Sequence, residues 1–249
     1  MSRLLLTADR DESTVLVNEL EVAGWEVSHL PLQQYHYQED PELNESVVSS
    51  LDQFRFVLYG GYRNARYFFH WVEEHDKLNE VQQFIHLAMN SREAGYLEER
   101  GIPVIVPAEG GRPIDLMEFL LRISAEGAVL YPGTDGEAEE IPGLLEELGM
   151  PRAELTVCGS MPLSGGQFNR LIKQIIKSAP DVILFHNRSS VIRTRRAFPD
   201  LDLSSCRLIA ASEGVAWKMN QEGLQPDMTA GGTWVSVQKL LQGDEKENN

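Results

Sequence analysis

The chain has 249 residues, 42% hydrophobic and 24% charged, a globular balance that excludes extended disorder. With 38 acidic against 22 basic side chains the formal net charge is −16, which disfavours nonspecific binding to nucleic acid or an anionic membrane surface, polyanions that need a basic footprint. Cys158 and Cys206 lack CxxC spacing, which argues against a cysteine-based zinc site and fits a reduced compartment.

Met1-Ser2-Arg3-Leu4-Leu5-Leu6 is too short an apolar run for a signal peptide. No stretch approaches the roughly 18 apolar residues of a membrane span, so the expectation is a cytoplasmic protein that engages no membrane. Leu4-Leu5-Leu6 reads as a buried strand. Residues 12–23 follow as a helix stopped by Gly24, and Trp25 to Leu30 as a second strand ending at Pro31. The polar stretch Gln33 to Asp40 reads as a crossing between domains.

A helix is expected near 42–51, then the strand Phe56-Val57-Leu58-Tyr59, stopped by Gly60-Gly61, and a helix at about 63–75. Phe84 to Ala88 is a strand, 91–100 a helix ending at Gly101, Ile102 to Val106 a strand and Ile114 to Ile123 a helix. Ala128 to Tyr131 is a strand, 137–148 a helix ending at Gly149, and Glu154 to Cys158 a strand, with Gly159 to Gly166 as a second crossing. Then come a helix (167–178), the strand Val182 to Phe185, a helix after Asn187, the strand Leu208 to Ala211, a helix ending at Gly223 and a last helix from Trp234 to Leu241. Gly243 to Asn249 reads as a frayed charged tail. Short apolar strands alternating with helices predict parallel sheets covered on both faces.

The pattern is duplicated. Gly24 and Gly149, Tyr59 and Phe185, and Gly101 and Gly223 are separated by nearly the same interval.

In open parallel sheets ligands bind beyond the carboxyl ends of the strands. The loops expected there are Thr7 to Arg10, Gly60 to Arg63, Asn90 to Arg92, Pro132 to Thr134, His186 to Ser189 and Ser212 to Gly214. Each opens a helix, whose exposed amides can receive a carboxylate. Ser91, Ser189 and Ser212 also suit helix capping, Gly60-Gly61 a tight turn, and Cys158 a small buried side chain. There is no GxGxxG after a strand, no phosphate-loop GKS/T, no HExxH and no metal-ligand spacing among the six histidines, so no metal is expected.

The order of elements resembles the uroporphyrinogen-III synthase family over nearly the whole chain. Val57-Leu58-Tyr59-Gly60-Gly61-Tyr62-Arg63-Asn64-Ala65-Arg66-Tyr67-Phe68-Phe69 is similar to the family's first strand-end turn and helix. Leu97 to Val104 and Val106-Pro107-Ala108-Glu109-Gly110-Gly111 resemble the close of its first half; Asp181 to Ser189 and Gly223-Leu224-Gln225-Pro226-Asp227 match its second. Gly60-Gly61 and His186-Asn187 replace Thr-Ser in two turns. Met89 to Ala94 and Ala211 to Ala216 lack the threonine of two others, and Cys158 stands where the family commonly has Tyr.

The resemblance implies an α/β fold of two doubly wound parallel-sheet domains, flavodoxin-like halves in a swapped duplication joined by a two-segment hinge. Residues 1–33 with 160–249 would form one domain and 36–155 the other, with hinges near 31–36 and 158–163. It further implies cyclisation of hydroxymethylbilane, a linear tetrapyrrole, to uroporphyrinogen III with inversion of the last pyrrole ring, by a monomer without cofactor or nucleic-acid partner. The substrate-binding candidates are then Arg10, Gly60, Gly61, Arg63, Ser91, Arg92, His186, Asn187, Arg188, Ser189, Ser212 and Gly214. His186, Ser160 or a bound water would assist loss of the hydroxyl. The alternative is a catalytically silent relative that binds a tetrapyrrole or another anionic small molecule.

Overall fold

The computed structural model describes residues 2–89, 91–107, 113–123, 127–135 and 139–247. Asn90 of the expected Asn90–Arg92 loop, the Ala108–Gly111 segment, residues 137–138 of an expected helix and the last two residues of the expected tail lie outside them. The chain divides into two compact units, residues 1–34 with 161–249 and residues 35–160.

The first unit opens with β1 (Arg3–Leu6), α1 (Arg10–Val22) and β2 (Glu26–His29). The chain then leaves through β3 (Gln33–Tyr37) into the second unit: α2 (Pro41–Ser49), β4 (Phe54–Tyr59), α3 (Tyr62–Glu74), the short α4 (Leu78–Val81), β5 (Ile85–Ala88), α5 (Ser91–Glu98), β6 (Val104–Ile105), α6 (Pro113–Ile123), β7 (Ala128–Thr134), α7 (Glu140–Glu147) and β8 (Arg152–Pro162). It re-enters the first unit for α8 (Gly166–Ser178), β9 (Val182–Phe185), α9 (Arg188–Ala197), β10 (Arg207–Ala210), α10 (Glu213–Gln221), β11 (Met228–Thr229) and α11 (Trp234–Glu247).

The first sheet has the order β11-β10-β9-β1-β2, with every pair parallel. Read within the unit this is the doubly wound order 2-1-3-4-5. The second sheet runs β3-β8-β7-β4-β5-β6, which is the same order with β7 and β8 as its opening strands and β3 added at one edge. Each unit therefore takes its opening strand–helix–strand from the other half of the chain. The fold is the expected swapped α/β duplication.

Both faces of each sheet are covered, which is why the strands read as unbroken apolar runs. In β1, Leu5 packs with Ile183, Phe185 and Leu208 on one face, while Leu4 and Leu6 pack with Leu16, Leu20 and Trp25 on the other. In β4, Val57 and Tyr59 join Phe68, Trp71 and Val72, while Phe56 and Leu58 join Leu116, Met117 and Leu120. Gly24, Gly149, Gly101 and Gly223 follow α1, α7, α5 and α10, each with φ between +65° and +96°, the left-handed conformation that ends a helix with least strain in glycine. The repeat noticed in sequence is a repeat of helix stops.

Several elements differ from the sequence expectation. Residues 33–37 form an edge strand rather than a loop crossing, and β8 runs on through Pro162 where a glycine-rich crossing was expected from Gly159. β6 shrinks to two residues because Pro103 and Pro107, which carry no backbone N–H, bracket it. The expected tail is helical as far as Glu247, since Gly243 does not end α11. β11 and α4, of two and four residues, have too little pattern to be read from sequence.

Candidate functional site

Parallel pairing brings strand carboxyl ends to one edge of each sheet, and each unit is described by itself. In the first unit the registers Leu6↔Leu184 and Ala210↔Phe185 align the ends of β1, β9 and β10. That edge gathers Arg10, His186, Asn187, Arg188, Ser189, Ser212 and Gly214. Arg10 is exposed at the first turn of α1, whereas His186, Asn187, Arg188 and Ser189 are half-buried.

The local chemistry of this edge is one of caps. Asn187 Oδ1 accepts from the Ser190 amide at 2.7 Å, and the Asn187 amide donates to Ser190 Oγ at 3.2 Å, a reciprocal box that fixes the start of α9. Ser212 Oγ accepts from the Val215 amide and caps α10. The Asn187 carboxamide oxygen and Ser212 hydroxyl thus fix the starts of α9 and α10 at this edge. The Arg188 guanidinium lies 5.5 Å from the Trp217 ring centre, and Trp217 is 55% exposed.

Sequence reasoning missed two further pairs here. Thr7 and Thr194, both buried, join their hydroxyls at 3.2 Å between the end of β1 and α9. His29 Nε2 lies 3.1 Å from the Ala8 carbonyl and 3.0 Å from Ser13 Oγ, while Ser13 donates to the Asp9 carbonyl. With its hydrogen spent on Asp9, Ser13 can only accept, so Nε2 carries a proton. Burial holds the His29 pKa below its ordinary value, with the Ala8 carbonyl opposing.

In the second unit the registers Tyr59↔Ala88 and Val57↔Leu130 align β4, β5 and β7. Their edge gathers Gly60, Gly61, Arg63, Ser91 and Arg92. Arg63 lies 3.7 Å from the Tyr35 ring centre and Arg92 4.2 Å from that of Tyr62, each stacked on a ring that orients its planar fork. Gly61 has no side chain with which to cap α3, so the helix start is left to its backbone. Ser91 begins α5 and is exposed.

Gly60 is more than a turn residue. A Cβ there would lie 2.3 Å from the Tyr131 hydroxyl oxygen, so only glycine fits. Tyr131 donates to Glu139, which also accepts from Asn64 Nδ2 and from the Thr134 amide. No sequence motif marks this group. Asn64 did carry a signal, as a polar residue in register with the buried face of Phe68, Trp71 and Val72 on an amphipathic helix.

Ser160 is half-buried near the end of β8. Cys158, two residues earlier, is fully buried, with Sγ 3.5 Å from the Gly159 carbonyl. Among the described residues no group of His, Cys, Asp and Glu is placed to hold a metal, and no helix is long and apolar enough to cross a membrane.

A family model described as uroporphyrinogen-III synthase HemD matches residues 14–233. The fold is similar to a crystal structure of a mutant uroporphyrinogen III synthase from the extremely thermophilic bacterium Thermus thermophilus, with a TM-score of 0.60 and 16% identity over 99% of this chain and 98% of that one. It is also similar to uroporphyrinogen-III synthetase from Helicobacter pylori, with a TM-score of 0.59 and 14% identity over 98% and 99% of the two chains. At such identity these two are likenesses of fold. No curated protein sequence matches significantly.

Proposed function

The chain belongs to the uroporphyrinogen-III synthase family, and from that premise we propose that it cyclises hydroxymethylbilane to uroporphyrinogen III. The family match over residues 14–233 carries this reading and favours it over a silent binder. In the reaction the hydroxymethyl C–O bond breaks and water leaves, giving an azafulvene on the first ring. The substituted α position of the last pyrrole attacks that carbon and forms a spiro intermediate. The bond from that position to the neighbouring methylene then breaks, and the macrocycle closes through the free α position, which loses its proton, so that the last ring ends inverted. The net loss is one molecule of water.

The uncatalysed bilane also closes, but to the uninverted I isomer. The protein's task is therefore to impose one geometry on a flexible chain, an effect of positioning more than of acid strength. Eight substrate carboxylates suit the strand-end features of each unit. In the first unit these are the amides opening α9 and α10 with Arg10 and Arg188; in the second, the amides opening α3 with Arg63 and Arg92. Capped helix starts and ring-stacked guanidinium groups hold their donors in place before the substrate arrives, which lowers the entropy lost on binding. The donor to the departing hydroxyl is His186, Ser160 or a bound water. We read the protein as a cytoplasmic monomer; the buried free thiols of Cys158 and Cys206 suit a reduced compartment, and light scattering checks the monomer.

Purified protein given freshly generated hydroxymethylbilane should yield the III isomer in excess over the I isomer, resolved by chromatography after oxidation to porphyrins. Cys158→Ser should leave the ratio unchanged, because a serine hydroxyl can make the same contact with the Gly159 carbonyl. A folded protein whose products match the protein-free control would sink the enzymatic reading.

A further inference from the structure

Three donors of the second unit converge on one carboxylate. Glu139 Oε2 accepts from the Tyr131 hydroxyl and from Asn64 Nδ2 at 3.2 Å, and Oε1 accepts from the Thr134 amide at 3.2 Å. Asn64 also donates to the Pro132 carbonyl at 2.6 Å, which ties the first turn of α3 to the end of β7. Tyr131, Asn64 and Thr134 are 1%, 2% and 6% exposed, so the network is built into the sheet end. Burial first, and then the Glu139 charge, push the Tyr131 pKa far up and keep its phenol a donor. Polar groups so deeply buried are costly unless joined, and here one carboxylate joins them.

The network reaches the candidate binding turn directly. The Tyr131 hydroxyl occupies the space that a side chain on residue 60 would need, 2.3 Å from its Cβ position, and Glu139 holds the hydroxyl there. Asn64 immediately follows Arg63 in the same turn of α3. We propose that Glu139 is a positioning residue for the reaction: through Tyr131 and Asn64 it sets the Gly60–Arg63 turn that receives a substrate carboxylate. This rests on the activity assigned above and names a residue that holds its site rather than touching substrate.

Glu139→Gln keeps an acceptor for Thr134 but sets an amide NH₂ against two donors. The expected result is a KM for hydroxymethylbilane raised about tenfold with kcat within about twofold. The Kd for uroporphyrin, the oxidised octacarboxylate product, should weaken by the same factor in tryptophan fluorescence. A second test needs no change at Glu139. Gly60→Ala alone should lose uroporphyrin binding, and adding Tyr131→Phe should restore it to the level of Tyr131→Phe alone, since the nearest remaining ring atom is 3.3 Å away.

A Glu139→Gln protein with a lowered melting temperature but unchanged KM and uroporphyrin Kd would overturn the proposal, as would a double variant no better than Gly60→Ala. If Glu139→Gln does not fold, the Gly60/Tyr131 pair decides. Wild-type protein that binds uroporphyrin but makes no III isomer would remove the activity assignment, and the uroporphyrin Kd alone then decides the positioning role.

Discussion

Unfolding free energy should fall by about 3 kcal/mol between pH 7 and pH 4 through one residue, His86. The side chain is 1% exposed on β5. Its Nε2 lies 2.9 Å from the Val81 carbonyl, which can only accept, so Nε2 carries the proton and Nδ1 accepts from the Tyr59 hydroxyl at 2.9 Å. The stacked Tyr59 ring at 5.9 Å and the Phe84 ring offer no counter-ion. Burial pushes the His86 pKa from the ordinary 6.5 down to about 4, against the pull of the Val81 carbonyl. The native state therefore binds fewer protons than the unfolded state between these values. Stability from the neutral ring is complete above pH 6.5, declines as pH falls, and is gone below about 4. Denaturant midpoints measured across this window should slope less steeply in His86→Gln, which does not titrate. That variant should also cost about 1–3 kcal/mol at pH 7 through the disturbed Tyr59 bond. Equal slopes in the two proteins would show that acid sensitivity lies elsewhere.

Replacing Arg63 or Arg92 by Ala should raise the KM for hydroxymethylbilane by about ten- to a hundredfold, with kcat changed by less than about threefold. The range follows from a charge-assisted hydrogen bond, about 1.5–3 kcal/mol when its partner is otherwise left desolvated. Binding alone is affected because the carboxylates carry the same charge in the ground state and the transition state. Lysine should recover only part of the loss at Arg63, since an ammonium lacks the flat fork that stacks on Tyr35. A kcat that falls while KM holds would assign these arginines to the reacting carbons.

Sequence revealed the fold through its most buried parts. The runs at Leu4–Leu6, Phe56–Tyr59 and Val182–Phe185 are apolar because both faces of each sheet are covered, and the helix-ending glycines repeat because the halves repeat. The same logic hid β3. Gln33–Tyr37 is an edge strand in which no residue is fully buried and Gln34 is exposed, so it carries neither an apolar run nor a clean alternation. Strand-end loops could be located from element order, and the capping role of Ser212 follows from residue type, whereas α9 is capped by Asn187 and not by the expected Ser189, which lies inside the helix. The Tyr131–Asn64–Glu139 group could not be read. Its members come from three elements, and only folding shows that the Tyr131 hydroxyl fills the place of a side chain on residue 60.

The exchange of opening segments also sets an order on synthesis. As the chain leaves the ribosome, residues 35–160 hold every strand of their own sheet except the start of β3 and the end of β8, and can close before the remainder is made. The three leucines of β1 have no such chance. Their partner on one side, β2, follows within a few tens of residues, but the other, β9, lies beyond position 181. Through most of translation an apolar strand meant for the middle of a sheet has one open side, the condition in which nascent chains associate with one another. Its brevity, and the charged helix that follows at once, limit how far such association can spread.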